Sequence, residues 1–256
     1  MSKLKKIILI VVISIVSVIL LFLFVLYNFP YDAVIKRADL YLIDRYSTSL
    51  KVQNVRYRYP FKLLLEDVRL TRKDGSFTVH IDNLLLRLRI LNFSKSKTAE
   101  MSGSGIYFRS RFMDMSDARV NVVAGFDLSQ LRKEQNANAV DYFDLKMEGA
   151  EVDKVFLTGF EFSEFKIQGA DVFLVNRESN FVFERGFLRS DLFTLEISGE
   201  LNPQSINSRA TIKFTNIFFQ QYANLKPIVD SIADNGVIEF AIGGSLQKPQ
   251  VRMIRK

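Results

Sequence analysis

Hydrophobic and polar positions along the chain fall into three successive patterns, and each predicts a different element. From Ile7 to Tyr27 the side chains are apolar except for Ser14, Ser17 and the closing tyrosine, and none is charged. A helix of these 21 residues, rising about 1.5 Å per residue, spans the roughly 30 Å hydrocarbon core of a bilayer. It has no polar face to turn to water, so it predicts one transmembrane helix. Beyond it, Val34, Ile35, Ala38 and Leu42 recur at helical spacing among Lys36, Arg37, Asp39 and Asp44. They predict a short amphipathic helix to about Tyr46, with Pro30 at its start and Asp32 in its first turn.

From Leu50 the period changes to two. Val55, Tyr57 and Tyr59 alternate with Arg56 and Arg58; Phe77, Val79 and Ile81 with Thr78, His80 and Asp82; Leu84, Leu86, Leu88 and Ile90 partly with Arg87 and Arg89. Asp74-Gly75 marks a turn. The same alternation returns in Phe193, Leu195 and Ile197 and in Ala210, Ile212 and Phe214. These strands predict a mainly β fold, an antiparallel sheet with one wet and one dry face. Two stretches interrupt it. Leu128 to Val140 is polar and helix-tolerant and predicts a division of the sheet into two halves. Asn216 to Ala233 predicts a helix kinked at Pro227 and ended by Asn235-Gly236, followed by a hairpin of Val237–Ile242 and Val251–Ile254.

The flanks of the apolar run decide its fate. It exceeds the apolar core of a signal peptide, the first alanine of the chain is Ala33, and the absence of cysteine removes lipoprotein processing. An uncleaved signal anchor is expected. Lys3, Lys5 and Lys6 adjoin the run and favour a cytoplasmic amino end, which places the large domain outside the cytoplasm. The expected organisation is a stub at 1–6, the anchor at 7–27, a juxtamembrane helix at 28–48 and a β-rich domain at 49–256.

The net charge of +7 is uneven. Lys36 to Lys73 holds ten Lys/Arg and four acids; outside it and the three amino-terminal lysines, 22 basic residues meet 24 acidic ones. Lys36, Arg37, Arg56 and Arg58 are therefore candidates to face anionic headgroups, with a solvated sheet face as the alternative. Nucleic acid is a poor partner for an exported domain. Catalytic chemistry finds little footing: there is no cysteine and one histidine, His80, within reach of Asp82 on a polar face. Glu66 and Asp67 are neighbours in a strand and point apart, and Gly103-Ser104-Gly105 lacks the Lys and helix of a phosphate loop. No catalytic residue, metal or cofactor is expected.

The dry face is the more informative one. The chain has 23 phenylalanines and no tryptophan, with Phe156, Phe160, Phe162, Phe165, Phe173, Phe181, Phe183, Phe187 and Phe193 close together. Such a face is either a closed core or a groove left open for acyl chains or a partner's apolar segment. If a groove, Phe193, Leu195, Ile197, Ile212 and Phe214 are candidates to line it.

Three features carry a resemblance. They are the anchor followed by Phe29-Pro30-Tyr31-Asp32-Ala33, the strands Asp67–Leu70 and Ile81–Leu91, and the closing Gly-Gly-Ser-Leu-x-Lys-Pro-x-Val of Gly243 to Val251. In these the chain resembles the type II secretion system protein N family in its spirochaete-type form, itself similar to AsmA-like anchored periplasmic proteins. The resemblance implies a single-pass inner-membrane protein with a periplasmic curved sheet, a half-barrel or sandwich with one or two short helices. It implies a non-enzymatic component of the type II protein secretion system, working through contacts with other secretion proteins. The AsmA-like link implies an alternative, a lipid-binding or lipid-transfer protein using a Phe-rich apolar groove.

Overall fold

Twelve antiparallel strands, each hydrogen-bonded only to its neighbours in sequence, form one continuous meander in the computed structural model. The structure describes residues 30–58, 62–89, 97–127, 139–157, 160–177, 180–202, 204–233, 236–245 and 248–254. The apolar run Ile7–Tyr27 and the polar segment 128–138 lie outside the described residues. Among the described residues no helix is long and apolar enough to cross a membrane.

Helix α1 (Tyr31–Tyr46) comes first, with Pro30 at its N-cap and a left-handed Ser47 as C-cap, whose N–H bonds back to the Ile43 and Leu42 carbonyls. It doubles back along β1 (Thr48–Arg58), tied there by Asp39, whose Oδ1 accepts from the Leu50 N–H at 2.7 Å. The sheet continues through β2 (Lys62–Arg72), β3 (Phe77–Arg89), β4 (Lys97–Ser110), β5 (Met113–Phe126), β6 (Val140–Leu157), β7 (Phe160–Arg177), β8 (Asn180–Ser190), β9 (Phe193–Leu201) and β10 (Ile206–Phe214). Helix α2 (Asn216–Gln221), a 3-10 turn (Ala223–Leu225) and helix α3 (Lys226–Ile232) intervene before β11 (Val237–Ser245) and β12 (Lys248–Ile254). The sheet is curved and open, with β1 and β12 at its edges.

Two expectations are corrected. The polar stretch after Phe126 does not divide the sheet: β5 and β6 pair from Met113↔Val155 to Phe126↔Val140, so the segment is a connection between neighbouring strands. Pro227 does not kink one helix. It stands in the first turn of α3, where its missing N–H costs nothing, and the break falls earlier, at Tyr222.

Directly opposed residues in antiparallel strands share a face, so the register shows what each face carries. One row runs Val55, Leu65, Leu84, Gly103, Val120, Met147, Ala170, Leu188, Leu195, Ile212, Ile238, across eleven strands without a charged residue. Beside it a second runs Tyr57, Leu63, Leu86, Met101, Val122, Leu145, Val172, Gly186. Farther along the strands, Leu50, Leu70, Val79, Phe108, Met115, Val152 and Phe165 make a third. The dry face is continuous from the first strand to the penultimate one.

Strict alternation alone would not put these rows on one side. Between Leu65 and Val68, Gly103 and Ile106, Met115 and Ala118, and Met147 and Ala150 stand two residues instead of one. Each pair contains a left-handed residue: Asp67 (φ 52°), Gly105 (φ 61°), Asp117 (φ 54°) and Gly149 (φ 57°). A line of kinks crosses the sheet at one level and returns the apolar side chains to the same face. Glycine and aspartate occupy it because they adopt this backbone region at least cost.

Candidate functional site

Only part of the dry face is covered. Phe218 of α2, Leu225 of the 3-10 turn and Val229 of α3 are buried in one cluster with Ala118, Ala150, Val152, Phe165, Ile167, Leu192 and Ile238. The aromatic centre is tight, with the Phe218 ring 4.2 Å from Phe214, 5.3 Å from Phe219 and 5.4 Å from Tyr222. Thr215 caps α2, its hydroxyl accepting from the Phe218 N–H, and the Tyr222 hydroxyl accepts from the Ser163 N–H at 3.0 Å. These helices roof the face over the kinked level and the carboxyl-terminal strands.

At the other end no helix among the described residues roofs the face. Leu63, Leu86, Leu88, Met101, Val122 and Ala124 line an apolar hollow of about 490 Å³ with Tyr31 and Tyr57, a volume in the range of about 300–1,000 Å³ usual for small-molecule sites. It exists because Leu88 stands opposite Ala99, which stands opposite Ala124, so two small side chains leave the row low. Met101 is 39% exposed and Leu88 46%. At the mouth the Tyr31 and Tyr57 rings stack, 6.3 Å apart and 12° from parallel, which joins the first residue of α1 to the wall. Burial, and then the neighbouring Tyr57, raise the Tyr31 hydroxyl pKa above the ordinary tyrosine value. Lys62, Arg87 and Glu100 border the hollow along their strands, in a rung next to that of Leu63, Leu86 and Met101, so their side chains belong to the opposite, wet face. Arg87 and Arg89 share Glu100, at 3.4 and 3.3 Å.

The residues nominated from sequence are distributed over both regions. Phe193 and Phe214 pack against the roofed cluster, Phe193 with its ring 6.1 Å from Phe165. Ile212 stands between Leu195 and the buried Ile238. Leu195 and Ile197 are half-buried and border a second hollow of about 480 Å³, of mixed polarity, at the break in register between β8 and β9. Lys36 and Arg37 are exposed on α1. Arg56 reaches across to Glu66 at 3.1 Å, while Arg58 is exposed at the strand end, opposite Lys62. The lining of the open hollow was not among the nominations. Its signal was present in the spacing of three between Ile81 and Leu84 and between Gly103 and Ile106, which joins runs that look separate into single strands carrying one face.

His80 lies on the opposite, wet side. Its Nε2 is 3.1 Å from Asp82 and its Nδ1 3.3 Å from Asp67, brought close by the kink, with the Tyr107 ring 5.8 Å away. Both ring nitrogens face carboxylates, which leaves neither for a substrate. Among the described residues no group of three or more His, Cys, Asp or Glu side chains is placed to hold a metal ion.

Comparison with protein-family models, with curated proteins and with solved structures finds no match for the chain.

Proposed function

We propose that this is a membrane-anchored protein whose dry sheet face binds acyl chains. The observation that carries the reading is the apolar hollow of about 490 Å³ at the start of α1, unroofed by any helix among the described residues, continuous with apolar rows that cross the sheet. An exposed face of this kind has to be covered by something apolar, and the sequence supplies a neighbour: Tyr31, at the mouth, follows the apolar run by four residues. With Ile7–Tyr27 as a single-pass inner-membrane anchor and the sheet in the periplasm, the mouth lies beside the bilayer. A lipid leaving the membrane enters there and lies along the rows, away from the roofing helices. Lipid binding or transfer, the alternative that the AsmA-like resemblance implies, thereby becomes the leading function.

A photo-crosslinking amino acid at Val122, on the floor of the hollow, tests this in cells. Lipid adducts at Val122, together with crosslinks confined to the chain itself at Phe193 under the roof, are the expected result. Adducts to the chain itself alone at Val122 overturn it.

A second reading, a component of the type II secretion system, is favoured by the free edge. Among the described residues strand β12 has no partner on its outer side, and Val251 there is 61% exposed, as suits addition of a partner's strand. It predicts that deletion blocks export of secreted proteins and leaves lipid composition unchanged.

A further inference from the structure

Helix α1 lies on the outer side of β1, at the edge of the sheet, where Asp39 accepts from the Leu50 N–H at 2.7 Å and the Tyr31 ring stacks on that of Tyr57. On that side Ile35, Ala38, Leu42 and Ile43 are half-buried. Its other side carries a stripe at helical spacing, Val34, Arg37, Tyr41 and Arg45, with Lys36 and Leu40 beside it, and all six are exposed. Val34 is 50% exposed, Leu40 54% and Tyr41 57%. The cations among them, Lys36, Arg37 and Arg45, have no ion-pair partner among the described residues. The stripe contains no acid; Asp44 follows Leu40 in the neighbouring one, and Asp32 is exposed in the first turn.

A surface that mixes apolar side chains with cations suits the boundary of a bilayer, where the first reach the acyl chains and the second meet phosphates. The chain brings α1 to that boundary. Asn28, Phe29 and Pro30 alone separate the apolar run from Tyr31, a link that reaches about 14 Å at most. We infer that α1 lies flat on the membrane, with Val34, Leu40 and Tyr41 at the acyl boundary and Lys36, Arg37 and Arg45 among anionic lipid headgroups. The inference rests on the reading of Ile7–Tyr27 as an anchor and adds to it how the domain sits on the bilayer. Because α1 runs alongside β1, a flat α1 sets the strands parallel to the membrane, with β1 nearest to it and β12 on the far side of the sheet. The helix also protects the β1 edge from pairing with another strand, by occupying its outer side.

The chain has no tryptophan, so a single substitution supplies the probe. The full chain is reconstituted into vesicles of phosphatidylglycerol or of phosphatidylcholine whose acyl chains carry bromine near the headgroup, which quenches indole fluorescence on contact. In phosphatidylglycerol the Tyr41→Trp variant should be quenched several-fold more strongly than Val251→Trp, on β12. Phe24→Trp, within the apolar run, should be quenched in both lipids. Added to Tyr41→Trp, Arg37→Gln and Arg45→Gln should each lower the ratio of membrane-bound to free α1 about 5-fold. Arg37→Lys and Arg45→Lys should keep it, which separates loss of charge from loss of fold. Quenching of Phe24→Trp without quenching of Tyr41→Trp overturns the flat helix and leaves the anchor in place; if aqueous iodide also fails to reach the Tyr41→Trp indole, the face belongs to another protein surface. Quenching of Tyr41→Trp that is equal in both lipids and unmoved by the glutamine substitutions overturns the role of the cations. Quenching of Val251→Trp as strong as that of Tyr41→Trp overturns the orientation of the sheet. Failure to quench Phe24→Trp overturns the anchor reading itself.

Discussion

Replacing Phe218 with alanine separates the roof from the sheet. The side chain is 2% exposed, and its ring packs on Phe162, Phe214, Phe219 and Tyr222. Helices of six and seven residues have no stability of their own in water, so α2 and α3 persist only as long as they are docked. Docking depends on Phe218, Leu225 and Val229, each buried side chain stabilising by about 1.5–3 kcal/mol, with smaller contributions from the Thr215 cap and the Tyr222 hydroxyl. A buried Phe→Ala change costs about 3–5 kcal/mol, which removes most of that total. Hydrogen exchange of the full chain in nanodiscs, read by mass spectrometry, measures it directly. Amides between 218 and 232 should exchange about 10²–10⁴-fold faster, since about 1.4 kcal/mol is a factor of ten, while those of β2 to β4 keep their protection. Lipid photolabelling should then extend to Phe193 and Phe214, which the roof normally covers. Acceleration below about ten-fold, or equal acceleration in every strand, would refute the picture of a separable roof over an otherwise exposed face.

Three further outcomes are expected. Val152→Asp, at a position 1% exposed between Met115 and Phe165, should cost about 4 kcal/mol or more and shift the denaturant midpoint accordingly, whereas Met101→Asp, on the open face, should cost less than about 1.5 kcal/mol. Gly105→Ala forces a Cβ into the Asp82 carboxylate at φ 61° and should cost about 2–3 kcal/mol, while Gly149→Ala, with open space at φ 57°, should show only the left-handed penalty of about 1–2 kcal/mol, both read from thermal unfolding. Hydrogen bonds from the Ser76 hydroxyl and backbone hold Asp74 below the ordinary aspartate value, so its contribution to the β2–β3 turn is present above the unfolded value and lost as pH falls through the folded one. Exchange at the Ser76 amide should rise over that acid range in the native protein, and Asp74→Asn should abolish the dependence.

The hairpin punctuation is local chemistry and can be read directly. Asp74-Gly75 turns the chain because Gly75 adopts φ 70° and Asp74 accepts from the Ser76 N–H. A similar pattern of strand, glycine, leucine and proline at Ile197–Pro203 and Ile242–Pro249 precedes the two last hairpins, but Gly199 (φ 117°) and Gly244 (φ 85°) stand within the ladders, opposite Ser208 and Pro249, and the β9–β10 turn is held by Asn202, whose Oδ1 accepts from the Gln204 and Ser205 N–H groups. Helix α1 follows equally from Pro30, Asp32 and the spacing of Ile35, Ala38 and Leu42. Two features resisted. Hydrophobic spacing around Asn216 to Ala233 looked like one helix because side chains that meet a sheet recur at the same period across a break; only the contacts of Phe218 and Val229 show two short pieces meeting one core. The charge of Arg58 and Lys62 reads as ordinary surface charge until the register sets them opposite each other.

By itself the sequence determined that the chain is mainly β, that its strands have a dry side, and that its cations crowd the amino-terminal end of the domain, because alternation and composition are properties of neighbours along the chain. Only the tertiary structure decided that all twelve strands join in one sheet, that kinks at Asp67, Gly105, Asp117 and Gly149 keep the dry side continuous, and which part of it is roofed. The same run of apolar side chains serves a closed core beneath Phe218 and an open hollow beside Tyr31. What distinguishes them is which distant segment folds back to exclude water, and that is settled by packing between residues far apart in the chain, as between Tyr222 and Ser163.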